Sequence, residues 1–140
     1  MCMIIQGRGI SRGIGKGPLL IGPDPISFLS GVDPETGIVL EPGHPLEGKD
    51  ITGSVLAFEY GKGSTVGSYI LYALSRNGHA PAAIINQEAE TIIVVGAIMG
   101  KIPMIDRIKT PLTSLPSGTI VEVDGTAGTL TIPDEKVNQV

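Results

Sequence analysis

Most hydrophobic positions in this chain fall into short runs of strand length, and two stretches read as helix. After residue 65, Val66, Ile70, Ala73 and Leu74 recur at helical spacing, and Gly78 stands where such a helix would stop. Residues 89–99 are apolar along most of their length. A short helix suits them better than a buried strand, because residues 103–106 can then supply the next strand. Residues 3–7, 17–22, 38–40, 51–58 and 82–86 read as strands. Residues 119–124 and 129–132 alternate on either side of Gly125-Thr126-Ala127-Gly128, which predicts a hairpin.

Glycine and proline organise the connections. The chain carries 20 Gly and 11 Pro, as suits short strands joined by tight turns. Residues 7–13 form a Gly-rich connection between the first two strands. Residues 23–37 make a long loop, and Glu41-Pro42-Gly43-His44-Pro45 an irregular turn. Residues 133–140 read as a polar tail. No repeat, charge block or low-complexity linker divides the 140 residues, so one domain spans 1–140. A β-rich layer followed by strand–helix–strand–helix–strand and a closing hairpin predicts an α/β fold of mixed β/β/α type. Two short helices accompany the β-rich layers, and a doubly wound parallel sheet is not expected.

The chemistry concentrates in Gly61-Lys62-Gly63-Ser64-Thr65-Val66-Gly67-Ser68, between a strand and the first helix. First-turn amides lack helical partners and the helix dipole is positive there, so such a junction favours negative charge. Two functions fit: holding an anion, or easing ionisation of the Ser64 hydroxyl. The plain alternative makes Ser64 an N-cap and the glycines turn formers. The segment is not a P-loop, because its lysine lies between two glycines and the upstream glycine is missing. The dinucleotide glycine spacing is absent as well.

Composition removes other classes. A net charge of -4 and 4% aromatic residues, with no Trp, argue against a nucleic-acid surface. The longest apolar run, residues 92–99, is too short to span a bilayer, and Met1-Cys2-Met3 lacks the features of a signal peptide. A cytoplasmic protein is expected. With Cys2 its only cysteine, and His44 and His79 far apart, the chain has no ligand set for a metal or an iron–sulfur cluster. Any such group must be held by another chain.

Further candidates have ordinary readings beside functional ones. Ser68 lies one helical turn after Ser64 and can face the same cleft, or face solvent or bond its own helix. Lys62 suits a carboxylate or phosphate, or is a plain loop lysine. Arg8 and Arg12 can meet a phosphate but by default are solvated charges. Asp33 before Pro34 is a turn starter. His44 can act as a loop acid, yet nothing in the sequence brings it to Ser64.

Several blocks together carry a resemblance. They are Ser27-Phe28, Gly31-Val32-Asp33-Pro34-Glu35-Thr36-Gly37, His44-Pro45, the turn around Ser64, Ala80-Pro81-Ala82-Ala83-Ile84-Ile85, Val95-Gly96-Ala97-Ile98 and Ile102-Pro103. In this order they resemble the swivel domain of the aconitase X family, over about residues 9–106. The resemblance implies a swivelling β/β/α domain working as the small subunit of a heterodimeric hydro-lyase of archaeal type. Its larger partner would hold an iron–sulfur cluster that acts as Lewis acid on the leaving hydroxyl. The implied substrate is a small anionic hydroxy acid, 5-phosphomevalonate in a modified mevalonate pathway. Another dehydratase of the family, such as one acting on hydroxyproline, is the alternative within that class. A non-catalytic anion-binding or regulatory domain is the alternative outside it. The resemblance further implies that Ser64 accepts the proton; Gly61, Lys62, Gly63, Thr65 and Ser68 of the same segment are the candidate substrate-binding residues.

Overall fold

The computed structural model describes residues 3–22, 26–27, 32–62 and 66–133. The first strands are β1 (Met3–Gln6), β2 (Arg8–Ser11), β3 (Ile14–Ile21) and β4 (Ile26–Ser27). After a loop layer come β5 (Val55–Phe58), β6 (Gly61–Lys62), helix α1 (Val66–Arg76) and β7 (Ala83–Asn86). Helix α2 (Thr91–Met99), β8 (Met104–Asp106), a 3-10 turn (Leu112–Ser114), β9 (Ile120–Asp124) and β10 (Thr129–Ile132) complete the order.

Eight strands form one sheet in the order β1-β10-β9-β3-β5-β7-β8-β2. The central pairs β3–β5, β5–β7 and β7–β8 are parallel, and the flanking pairs are antiparallel. The strands at the two ends of that order, β1 and β2, are separated by Gly7 alone. One continuous stretch of chain therefore bonds β10 with its first half and β8 with its second, which closes the sheet into a barrel. At the seam the Gly7 N–H donates to the Gly128 carbonyl at 2.8 Å, and a Cβ on Gly7 would come within 2.6 Å of the Asp106 carbonyl.

Two apolar cores result. Ile5, Leu19, Val55, Ala57, Ala83, Ile85, Ile105, Val121, Val123 and Leu130 fill the barrel. Leu56, Phe58, Ile84 and Met104 point outward from the same central strands, onto Leu71, Leu74, Ile93 and Ala97 of the helices. All four residues of β5 and of β7 are buried, because these strands carry a core on each face. This is the expected mixed β/β/α arrangement with two short helices.

The helices run side by side in the same direction. Ser68 Oγ of α1 donates to the Ile92 carbonyl at the start of α2, at 2.8 Å, and Ser75 Oγ donates to the Gly100 carbonyl at its end, at 2.7 Å. Between these pins Gly96 admits Leu71: a Cβ there would lie 2.7 Å from Leu71 Cδ1 and 3.2 Å from the Ser68 Cα. Gly96→Val is therefore expected to destabilise the domain by about 2–3 kcal/mol, as overpacking of a close interface does. A thermal midpoint within a degree of the parent would show that the helices can part without cost.

Several boundaries differ from those read in the sequence. Residues 7–13 are not simply a connection, since they contain β2, and β3 starts at Ile14 and not at 17. The glycines there serve close backbone contact: Gly15 lies against the Ala82 carbonyl, where a side chain would collide. Residues 51–54 turn before β5, with Gly53 at φ +70° and Ser54 Oγ donating to the Ile51 carbonyl at 2.7 Å. Residues 38–40 make only the isolated bridges Val32↔Val39 and Ile38↔Asp50. Within the long loop, Ile26–Ser27 pairs in parallel with Gly61–Lys62. The polar tail expected at 133–140 lies, beyond Pro133, outside the described residues.

Candidate functional site

The carboxyl ends of β5, β7 and β8 and the first turns of both helices meet at one end of the domain, the usual place for a site in a parallel sheet. There Asn86, fully buried, donates from Nδ2 to the Phe58 carbonyl at 3.2 Å and the Ile85 carbonyl at 3.4 Å. Its Oδ1 has no hydrogen-bond partner among the described residues. The Glu59 carbonyl accepts from the Gln87 and Glu88 amides at 3.0 and 3.4 Å, stapling the segment after β5 to the segment after β7.

Asp106 anchors the neighbouring strand end. Its side chain is fully buried, yet its carboxylate accepts from Arg8 Nε at 2.9 Å, from an Arg8 terminal guanidinium nitrogen at 2.7 Å and from the Ala89 amide at 2.8 Å. The hydrogen bond to this carboxylate holds the Arg8 pKa above its ordinary value. Arg8 is thus a latch between β2 and β8, not a free solvated charge. Beside it the exposed Arg107–Glu88 pair, at 2.6 Å, lowers the Glu88 pKa through its hydrogen bonds but adds little stability in water. Glu90 caps α2, its Oε2 accepting from the Ile92 amide at 3.0 Å.

The residues singled out in the sequence are placed unequally. Gly61 and Lys62 form β6, and Val66 opens α1, whose first turn carries no acidic residue. Gly63, Ser64 and Thr65 lie outside the described residues. Ser68 is buried and spends its proton on the Ile92 carbonyl, bridging the helices; it neither faces solvent nor bonds its own helix. Arg12 is exposed and lines a cavity with Lys101. Asp33 starts its turn as expected, with Oδ1 accepting from the Glu35 amide at 2.9 Å. His44 is buried in the loop layer, where Nδ1 accepts from the Leu46 amide at 3.0 Å. Asn86 and Asp106 were not singled out, although each is the polar end of an apolar strand run, a readable signal.

A family model described as the aconitase X swivel domain matches residues 4–132. The chain belongs to this family. A Methanosarcina acetivorans protein is 52% identical over 137 residues, which cover 97% of this chain and 95% of that one. A Pyrococcus furiosus protein is 49% identical over 130 residues, covering 93% and 96%. Both bear the name phosphomevalonate dehydratase small subunit. The crystal structure of Thermococcus kodakaraensis aconitase X in its holo-form contains a chain 45% identical to this one. It superposes with a TM-score of 0.90 over 94% of this chain and 99% of that chain. The solution structure of a UPF0107 protein, 41% identical, gives 0.85 over 94% and 100%.

Proposed function

We propose that this chain is the small subunit of a two-chain hydro-lyase that dehydrates (R)-5-phosphomevalonate to trans-anhydromevalonate 5-phosphate, in a modified mevalonate pathway of isoprenoid biosynthesis. The observation that carries this reading is near-complete mutual coverage with relatives of that name, at 52% identity in the Methanosarcina acetivorans case. The enzyme works in the cytoplasm on a soluble anionic substrate. Among the described residues no helix is long and apolar enough to cross a membrane.

An iron–sulfur cluster does not fit this chain. Cys2 is its only cysteine, and among the described residues no three of His, Cys, Asp and Glu come together. The cluster belongs to the larger subunit, and this chain contributes to the proton and the anion. Ser64, once ionised, accepts the proton from the carbon next to the substrate carboxylate. A helix start suits its alkoxide, because first-turn amides lack helical partners, the device that oxyanion sites use. Gly61 and Gly63 let the backbone approach the substrate, and Thr65 takes part in binding it. Lys62 supplies a positive charge for its anionic group, in a segment leading to a helix whose first turn has no acidic residue. Ser68 ties the first turn of α1 to α2 through its bond to the Ile92 carbonyl.

Reconstitution tests the reading. The isolated chain should turn over nothing, and the pair should dehydrate 5-phosphomevalonate in clear preference to hydroxyproline. Lys62→Ala in the pair should raise KM several-fold with a smaller change in kcat, as lost ground-state binding does. Turnover by the isolated chain, or a pair that prefers hydroxyproline, would refute the assignment.

A further inference from the structure

Helix α2, Thr-Ile-Ile-Val-Val-Gly-Ala-Ile-Met, has no charged residue on any face, although only one face meets the domain's own core. A helix that is apolar all round is ordinarily covered all round. Its outward residues Val95, Ile98 and Met99 are 41%, 56% and 38% exposed. Beside them on α1, Tyr69 and Tyr72 are 64% and 38% exposed. Spacings of three and four residues set each group on one outward stripe. Between the stripes, Tyr69, Val95 and Met99 line a groove of about 240 Å³. Past Ile98 a cavity of about 500 Å³ opens against Ile10 and Ser11 of β2.

The rim of this face is basic. Arg12 and Lys101 line the larger cavity, and Arg76 ends α1, next to the Ser75–Gly100 pin. All three are exposed, and none has an acidic partner among the described residues. The helix dipole favours the two cations at helix ends, but Arg12 lies on no helix. A basic rim on a chain of net charge -4 is a local departure with a direction.

We propose that the outer face of α1 and α2 is the docking surface for the larger subunit, which presents an uncharged apolar patch to the groove and acidic side chains to the Arg12–Arg76–Lys101 rim. The inference rests on the reading of this chain as a small subunit. With ~150–250 Å² for a large side chain, the exposed fractions of the five residues leave on the order of 500 Å² of surface. That is over half of the ~800 Å² that each partner gives to a standard interface, and a charge-poor centre with aromatic residues and methionine is the usual composition of an interface core. The face also begins at the first turns of both helices, so a partner seated on it borders the segment that carries Ser64.

The test measures affinity for the larger subunit prepared without iron and without substrate, so that docking and catalysis fail separately. Val95→Asp and Tyr69→Glu should each weaken the complex at least about 30-fold, as loss of an interface anchor does. Each should leave the far-UV circular dichroism and thermal midpoint of the free chain intact. Ile120→Asp, at a 45% exposed position on β9, should bind like the parent. Reversing the three rim charges to Glu should slow association at low salt about tenfold or more and flatten its salt dependence. Parent-like affinity in both face variants would overturn the proposal. So would a dimer of the isolated chain that Val95→Asp abolishes while leaving capture of the larger subunit unchanged.

Discussion

Replacing Ser64 by Ala is expected to lower turnover of the reconstituted dehydratase by about 100-fold or more, the usual contribution of a general base. Folding and association should survive, since losing a helix cap costs only about 1 kcal/mol. A serine hydroxyl is a weak base, and the proposed role needs its alkoxide stabilised, as first-turn amides without helical partners can do. Ala at this position removes the acceptor and leaves those amides in place, so substrate affinity should change much less than kcat. Single-turnover measurements of proton abstraction, with circular dichroism and gel filtration as controls, separate the two outcomes. A near-normal rate would reduce Ser64 to a cap and return the proton to the larger subunit.

The largest effect on stability is expected from Asp106→Ala. The buried carboxylate answers three donors, two on Arg8 and one on the Ala89 backbone, and so joins β2, β8 and the approach to α2. Its removal leaves a guanidinium without its counter-charge and a backbone N–H without a partner. Arg8 is half exposed and can turn to water, so the loss is that of a charged acceptor of part-buried hydrogen bonds, about 3 kcal/mol. For a domain of this size that corresponds to a thermal midpoint about 10 °C lower. Asp106→Asn, which keeps one acceptor oxygen, should fall between. A midpoint unchanged in the Ala variant would mean that β2 is held at the seam by its ladder alone.

What the sequence disclosed follows from how local each signal is. Helix α1 was legible from the spacing of Val66, Ile70, Ala73 and Leu74, and the β9–β10 hairpin from its alternation around Gly125 and Gly128. Strands β7 and β8 announced themselves as apolar runs. Strand β2 was hidden because glycine is a poor strand former, and its pairing is decided by β8, nearly a hundred residues away. The β4–β6 pair is likewise made by partners distant in sequence. At the site, the glycine-rich turn stood out by its composition. The pairing of Arg8 with Asp106 did not, because nothing local to either residue shows that the other will be opposite it. Ser68 has cleft, solvent and own-helix readings in the sequence; its actual partner, the Ile92 carbonyl, belongs to another helix and leaves no trace near Ser68.

The barrel seam has a consequence for the order of assembly. The ribosome makes the stretch through Gly7 well before half of its hydrogen-bonding partners, Thr129–Ile132, which follow more than a hundred residues later. Pairing across so long an intervening chain carries a heavy loop-closure penalty and slows folding. The central strands, both helices and the β2–β8 pair can form beforehand, leaving residues 3–6 and the β10 side of β9 unpaired. Until β10 emerges, the nascent protein therefore exposes two strand edges to its neighbours. Overexpression should place its misfolding risk in that interval, after translation of the helices and before closure.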